Sequence, residues 1–190
     1  MKTRCSWTQN KELNNTYHDS EWGVPLHDDA KLFEFLILDA FQAGLSWLTI
    51  LKKRKNFRKA FDNFEASKIA NYSQKKIDTL MNDTGIIRNK LKINSTISNA
   101  QAFLNIQHEF GSFDNYIWQF TNHKTIVNTF KSIDEIPTET KESQAMSKAL
   151  KKRGFKFVGP TICYAFMQAA GMVNDHETSC FRYNEVMKLG

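Results

Sequence analysis

The sequence predicts an all-α fold, and three observations carry that reading. Apolar residues recur at helical spacing, most clearly at Leu32, Phe33, Leu36, Ile37 and Ala40, as one buried helix face requires. Proline, which breaks helices, occurs only 3 times in 190 residues. No segment of any length alternates strictly between apolar and polar residues, the pattern of a half-buried strand. A hydrophobic share of 41% at this length suits one good core, or two lobes that share one. No low-complexity stretch or linker divides the chain, so residues 1–190 read as a single domain.

The elements follow in order. Asp28 or Asp29 is placed to cap a helix over Ala30 to Ala43, with Gly44 as its stop. Ser46 can cap the next, from Trp47 to about Phe61. Short helices are expected over Ala66 to Tyr72 and Gln74 to Asn82, and a longer one over Arg88 to Phe110, ending at Gly111. Phe113 to Phe120 reads as another short helix, and Asn122 to Thr138 as polar and irregular. A helix over Lys141 to Lys152 ends at Gly154, and a last one starts at Pro160 or Thr161 and stops near Gly171.

Composition narrows the function classes. The longest apolar stretch, Leu32 to Leu51, is interrupted by Glu34, Asp39, Gln42 and Gly44, so no membrane span is expected. The start, Met1 to Trp7, lacks the apolar region of a signal peptide. A cytoplasmic setting follows as an expectation, and three cysteines there suit metal ligation better than disulfides. Net charge is +6, which is compatible with nucleic acid. The basic residues cluster at Lys52, Lys53, Arg54, Lys55, Arg58 and Lys59, and at Lys148, Lys151, Lys152 and Arg153. Each cluster reads either as a solvated helix face or as a phosphate-facing patch.

Cys5 and His18 near one end, with His176 and Cys180 near the other, form a set of two thiolates and two imidazoles. That set suits a closed tetrahedral zinc site. One ion bound to all four clasps the chain ends together and leaves the chemistry to other residues. His176 and Cys180, four apart, share a face if their segment is helical.

The segment Leu150 to Ile162 is a second signal. A basic helix end is followed by Gly154, Gly159 and a helix start at Pro160. Two glycines let a loop turn tightly and approach another molecule, and a helix start can hold a phosphate. Lys151, Lys152, Arg153 and Lys156 surround that point. The layout fits a helix-hairpin-helix clamp on a DNA backbone. It also fits an ordinary pair of helices, or a short strand over Phe155 to Val158.

Asp39 stands four residues after Phe35 and three after Leu36, on the apolar face of its helix. A carboxylate there needs a donor or a cation. It is either a satisfied structural residue or the acid of a pocket. Trp7 and Tyr17 flank the ligands Cys5 and His18, Trp22 follows, and Trp47 starts the next helix. A carboxylate among aromatic faces is what a planar, electron-poor base requires.

Six passages extend this pattern: Arg4 to Trp7, Tyr17 to Pro25, Gln42 to Trp47 with Leu51 to Arg54, Gly85 to Arg88, Lys148 to Gly159, and Val173 to His176 with Cys180. Together they resemble the bacterial DNA-3-methyladenine glycosylase I family, over essentially the whole chain. The resemblance implies a helix-hairpin-helix DNA glycosylase fold. The hairpin unit would lie at about 141–171, and one structural zinc ion would join terminal segments 1–25 and 172–190, held by Cys5, His18, His176 and Cys180. It implies that Asp39 stands at the acidic, catalytic base-reading position, and that Trp7, Tyr17, Trp22 and Trp47 bind the base. Gln42 and Leu45 match residues that enter the gap left by an extruded nucleotide. Gly154, Lys156, Gly159 and Thr161 match the DNA-binding hairpin.

The implied activity is monofunctional hydrolysis of the N-glycosidic bond of 3-methyladenine in alkylated double-stranded DNA, by a monomer that flips the base. The alternative is a catalytically weak or lesion-shifted relative that binds damaged DNA. Two departures from the family pattern touch the pocket: Asp39 stands where Glu is usual, and Asn14 where a second tyrosine is common. Asn174 stands where the wider superfamily often has a catalytic Asp. Lys156 reads as a phosphate contact, so no Schiff-base lysine is implied.

Overall fold

The segment Asp29–Gln42 is the most apolar helix and becomes the centre of the molecule, with Leu32 to Phe41 buried on every side. A helix buried all round must be wrapped by others. The computed structural model, which describes residues 2–189, arranges ten α-helices in this way. They are α1 (Glu12–Ser20), α2 (Asp29–Gln42), α3 (Trp47–Ala60), α4 (Ala66–Ile69), α5 (Gln74–Asn82), α6 (Lys90–Phe110), α7 (Phe113–Trp118), α8 (Lys141–Lys152), α9 (Pro160–Ala169) and α10 (Phe181–Val186). Helix α2 packs against α3, α6, α7 and α9, and α8 lies along α9. One continuous core, rich in Phe33, Phe41, Phe57, Phe61, Phe103, Phe113 and Phe166, joins all of them. No helix of the described residues is long and apolar enough to cross a membrane.

Local signals set most helix ends. The Asp28 carboxylate accepts from the Lys31 N–H at 2.9 Å, and Ser46 Oγ accepts from the Thr49 N–H at 3.3 Å. Thr140 and Ser143 form a reciprocal capping box at the start of α8. Gly44, Gly111 and Gly154 all take positive φ just beyond helix ends.

The fold departs from the expected element list at several points. Helices α1 and α10 have no counterpart in the sequence pattern. Helix α1 is polar and buries only Asn14, Tyr17 and His18, so tertiary contacts hold it, with no apolar stripe to announce it. The expected helix over Ala66 to Tyr72 stops at Ile69, and Phe113 to Phe120 divides into α7 and a 3-10 turn, Gln119–Thr121. Two short strands qualify the all-α reading: β1 (Ile126–Val127) pairs in parallel with β2 (Val173–Asn174). Two residues are too few for an alternation to be visible. Phe155 to Val158 is a loop with no strand, and His176 to Cys180 is a turn. Cys180 is the N-cap of α10, so His176 and Cys180 meet through a turn and share no helix face.

The N-terminal arm lies against the end of α9. Gly23 N–H donates to the Gln168 carbonyl at 3.0 Å, and Leu26 N–H to that of Ala170 at 3.0 Å. Gly171 has φ +69°, and any Cβ there would collide with the Val24–Pro25 backbone. This close approach brings the arm carrying Trp7, Tyr17 and Trp22 against the C-terminal end of α9.

Candidate active site and metal centre

A cavity of about 290 Å³ opens between the arm, α2, α3 and α9. Trp7, Tyr17, Trp22, Asp39, Gln42 and Trp47, six of the residues singled out in the sequence, all line it. Its size is at the lower end for small-molecule sites. The aromatic rings pack on one another in tilted or edge-on pairs. Trp7 and Trp22 have centroids 5.1 Å apart, and Tyr17 and Trp47 5.2 Å apart. Such packing makes the wall rigid.

Asp39 forms the acidic part of the lining. It is 2% exposed, and its Oδ2 is buried with no hydrogen-bond partner. Burial pushes its carboxyl well above the usual aspartate range, opposed by the charge of Arg54. The indole N–H groups of Trp7 and Trp47 are likewise buried and unpartnered. Three lining residues thus carry an acceptor and two donors that the protein itself leaves unsatisfied. Such groups are rare in folded proteins and call for an explanation. Tyr17 is held in its neutral form by burial and by the Asp39 and Glu21 charges.

Five lining residues escaped the sequence reading: Ile133, Ile136, Ala165, Gln168 and Ala169. Ala165, Gln168 and Ala169 lie at i, i+3 and i+4 on one face of α9, a signal that small and polar residues in an apolar helix do carry. Ile133 and Ile136 come from the irregular segment, where only their apolar character marked them. The Gln168 Nε2 donates to Asp175 Oδ2 at 2.8 Å. Asp175 also accepts from the Tyr164 hydroxyl at 2.6 Å and from Asn128 Nδ2 at 2.7 Å. Asn174 is buried, donating to the Tyr183 carbonyl and accepting from the His176 N–H. Asn14 lies outside the cavity lining and donates to the Thr8 carbonyl at 3.1 Å.

The four suspected ligands meet directly behind this wall. Their ligand atoms lie within 4.8 Å of one another, and all four residues are buried. Cys5 Sγ is 3.5 Å from His176 Nδ1, and Cys180 Sγ is 3.4 Å from His18 Nε2 and 3.7 Å from His176 Nδ1. A tetrahedral ion with bonds of about 2.3 Å to sulfur and about 2.0 Å to nitrogen separates S and N by about 3.5 Å. The cluster therefore fits a metal ion.

The outer atoms of the rings are held as a metal site needs. His18 Nδ1 meets Asp19 Oδ1 at 2.8 Å, and His176 Nε2 meets the Trp22 carbonyl at 3.1 Å. Arg4 fixes Asp19 in turn. The Glu177 and Arg182 N–H groups donate to the two sulfurs. Sharing a proton with Cys180, together with burial, pushes the Cys5 thiol far up; the Cys5 and histidine hydrogen bonds pull that of Cys180 down. Trp22 joins the two sites, with its ring 4.6 Å from that of His176.

The hairpin between α8 and α9 lies outside the cavity, and Gly154, Lys156 and Thr161 are exposed on it. No side chain caps α9, and neither Gly154 nor Gly159 has an atom within 4 Å of where a Cβ would stand. Buried Asn99 of α6 holds the loop, accepting from the Lys156 N–H at 2.8 Å and donating to its carbonyl at 3.1 Å. Arg153 is not free for an anion, because it pairs with Glu109 at 2.6 Å. In the other basic cluster, Arg54 and Arg58 pair with Glu34. Leu45 stands 41% exposed on the turn after α2.

A helical protein with an open aromatic pocket, an unpaired acid in it and an uncapped helix start after a basic hairpin fits the class that takes a single planar base out of a larger polymer. A family profile described as methyladenine glycosylase matches residues 7–183. DNA-3-methyladenine glycosylase 1 of Escherichia coli strain K12 is 49% identical over 180 residues, covering 95% of this chain and 96% of that protein. A crystal structure of 3-methyladenine DNA glycosylase I superposes with a TM-score of 0.92 at 50% identity, covering 94% of this chain and 98% of the other. A variant of such an enzyme in complex with 3-methyladenine superposes at 0.91 with 35% identity, covering 94% and 96%. The chain belongs to the methyladenine glycosylase family, as a bacterial DNA-3-methyladenine glycosylase I.

Proposed function

We propose that the cavity receives one flipped purine, and that the protein acts in base-excision repair, hydrolysing the N-glycosidic bond of 3-methyladenine in alkylated DNA. The observation that carries this reading is the unpartnered Asp39 carboxylate inside an aromatic pocket. Alone, that group is destabilising. A cationic base with an amino edge supplies both the counter-charge and the donors it lacks, and draws it towards its ionised form. The faces of Trp7, Tyr17, Trp22 and Trp47 favour a cation over a neutral ring.

The chemistry asked of the protein is modest. An N3-methylated adenine carries positive charge while bonded to the sugar. As the C–N bond breaks, its electron pair returns to the base and neutralises that charge. Water adds its oxygen to the sugar carbon and releases a proton to solvent. No strong base is needed, which agrees with Asn174 being held by backbone groups and Asp175 by three donors.

The hairpin serves as a helix-hairpin-helix phosphate clamp on duplex DNA: the open space at Gly159, the uncapped α9 and exposed Lys156 support that role. Gln42 and Leu45 fill the vacated gap. Zinc is the metal that the two thiolates and two imidazoles suit. It acts on structure, because four protein ligands leave no open position.

The test is direct. DNA treated with a methylating agent should release free 3-methyladenine when incubated with the purified protein, detected by chromatography. Release no greater than with heat-killed protein rejects the glycosylase reading. Asp39→Ala should cut release about a hundredfold. Full activity in that variant removes the carboxylate from the mechanism.

A further inference from the structure

Lysine is almost never fully buried without a charged partner. Yet Lys92 is 6% exposed, and its ammonium meets backbone carbonyls: Phe41 at 2.8 Å and Ala43 at 2.7 Å. Burial lowers its pKa, and no carboxylate offsets that shift. Those two carbonyls close the C-terminal end of α2, where the helix dipole favours a cation. The chain there leaves the helix at Ala43 with ψ 115°, and Gly44 takes φ +80°. Leu45 follows, and its N–H donates to the Gln42 carbonyl. Lys92 thus replaces the missing backbone cap of α2 and clamps the turn that presents Gln42 and Leu45.

The same face of α6 grips the hairpin. Asn99 stands seven residues, or two turns, beyond Lys92 and holds both backbone groups of Lys156. The two grips lie about 10 Å apart along the helix axis. Lys92 Nζ also lies 6.0 Å from the ring of Phe157 on the hairpin tip. One rigid helix therefore carries a grip on each element that faces the DNA.

We infer that Lys92 is a positioning residue, which holds the Gln42–Leu45 turn in register with the hairpin so that gap filling and phosphate clamping engage one duplex together. The inference rests on the proposed gap-filling role of that turn. The experiment compares binding to a duplex with a stable abasic-site analogue, to an undamaged duplex, and to free 3-methyladenine through tryptophan fluorescence. Lys92→Met should reduce the preference for the abasic duplex about tenfold and leave free-base affinity within about twofold. Leu45→Ala should reduce the same preference, and the double variant should lose no more than the larger single effect.

Lys92→Met that keeps the preference while Leu45→Ala loses it overturns the inference alone. Leu45→Ala without effect overturns the gap-filling reading and the inference with it. Losses that multiply in the double variant, or free-base affinity that falls in step, also overturn it. Should Lys92→Met fail to fold, Lys92→Gln keeps an uncharged NH2 donor group and should show a partial loss of the preference, with the same outcomes read.

Discussion

Asp39 shows what an unpaired buried acid costs the fold that holds it. Its carboxyl is buried without a hydrogen bond to Oδ2, and its pKa is raised above the ordinary value of 3.8. A raised folded-state pKa leaves stability untouched below the unfolded value and lowers it as pH rises towards the folded value. Asp39→Asn, which removes the charge at nearly constant volume, should therefore melt above the wild type. The gap should be widest near about pH 8 and should close towards about pH 4. Thermal melts across that range decide it, and a variant that melts lower at about pH 8 contradicts the burial argument. Cys163 is the contrasting residue: it is fully buried in the core, and burial pushes its thiol up to about 12.

The hairpin gives the clearest case at the scale of elements. The two glycines there differ in what the backbone asks of them. Gly154 has φ +95°, a conformation that side chains resist. Gly159 has φ −63° and open space around it, so the fold itself does not demand glycine there. Gly159→Ala should hold or slightly raise the melting temperature. It should still weaken duplex binding by about tenfold if a phosphate approaches that backbone. Titration of the variant with undamaged duplex tests this, and unchanged affinity would remove Gly159 from the contact. Behind the loop, Asn99 and Ser147 fix it through backbone groups of Lys156 and Val158.

The cluster of Cys5, His18, His176 and Cys180 acts on the whole molecule. It joins residues 171 apart in sequence, and the pocket wall is built on it through Trp22. Trp7 and Tyr17 neighbour Cys5 and His18 in the same arm. Metal analysis of the purified protein should give one zinc per chain. Cys180→Ser, or a strong chelator, should lower the melting temperature by about 10 °C or more and weaken free-base binding in parallel. A metal-free protein with unchanged melting and binding would show that the clasp is dispensable.

Local chemistry made much of this legible before any fold was known. The periodicity of α2, the caps at Asp28 and Ser46, and the glycines around α8 and α9 all act within a few residues, and the helices appear where those signals stand. The four candidate ligands and the lining residues Trp7, Tyr17, Trp22 and Trp47 were marked by residue type, because metal and aromatic chemistry admit few alternatives; Asp39 was marked by its place on an apolar helix face, and Gln42 by the family resemblance alone. Other features depended on partners distant in the chain. Helix α1 has no apolar stripe, the β1–β2 pair is two residues long, and Arg153 is taken up by Glu109. Gln168, Asn99 and Lys92 look like ordinary polar helix residues until the groups they hold are brought to them. The sequence by itself determined which side chains can do the chemistry. Only the tertiary structure decided which polar groups are spent on the protein and which, like Asp39, remain unsatisfied, because hydrogen-bond satisfaction is set by neighbours in space.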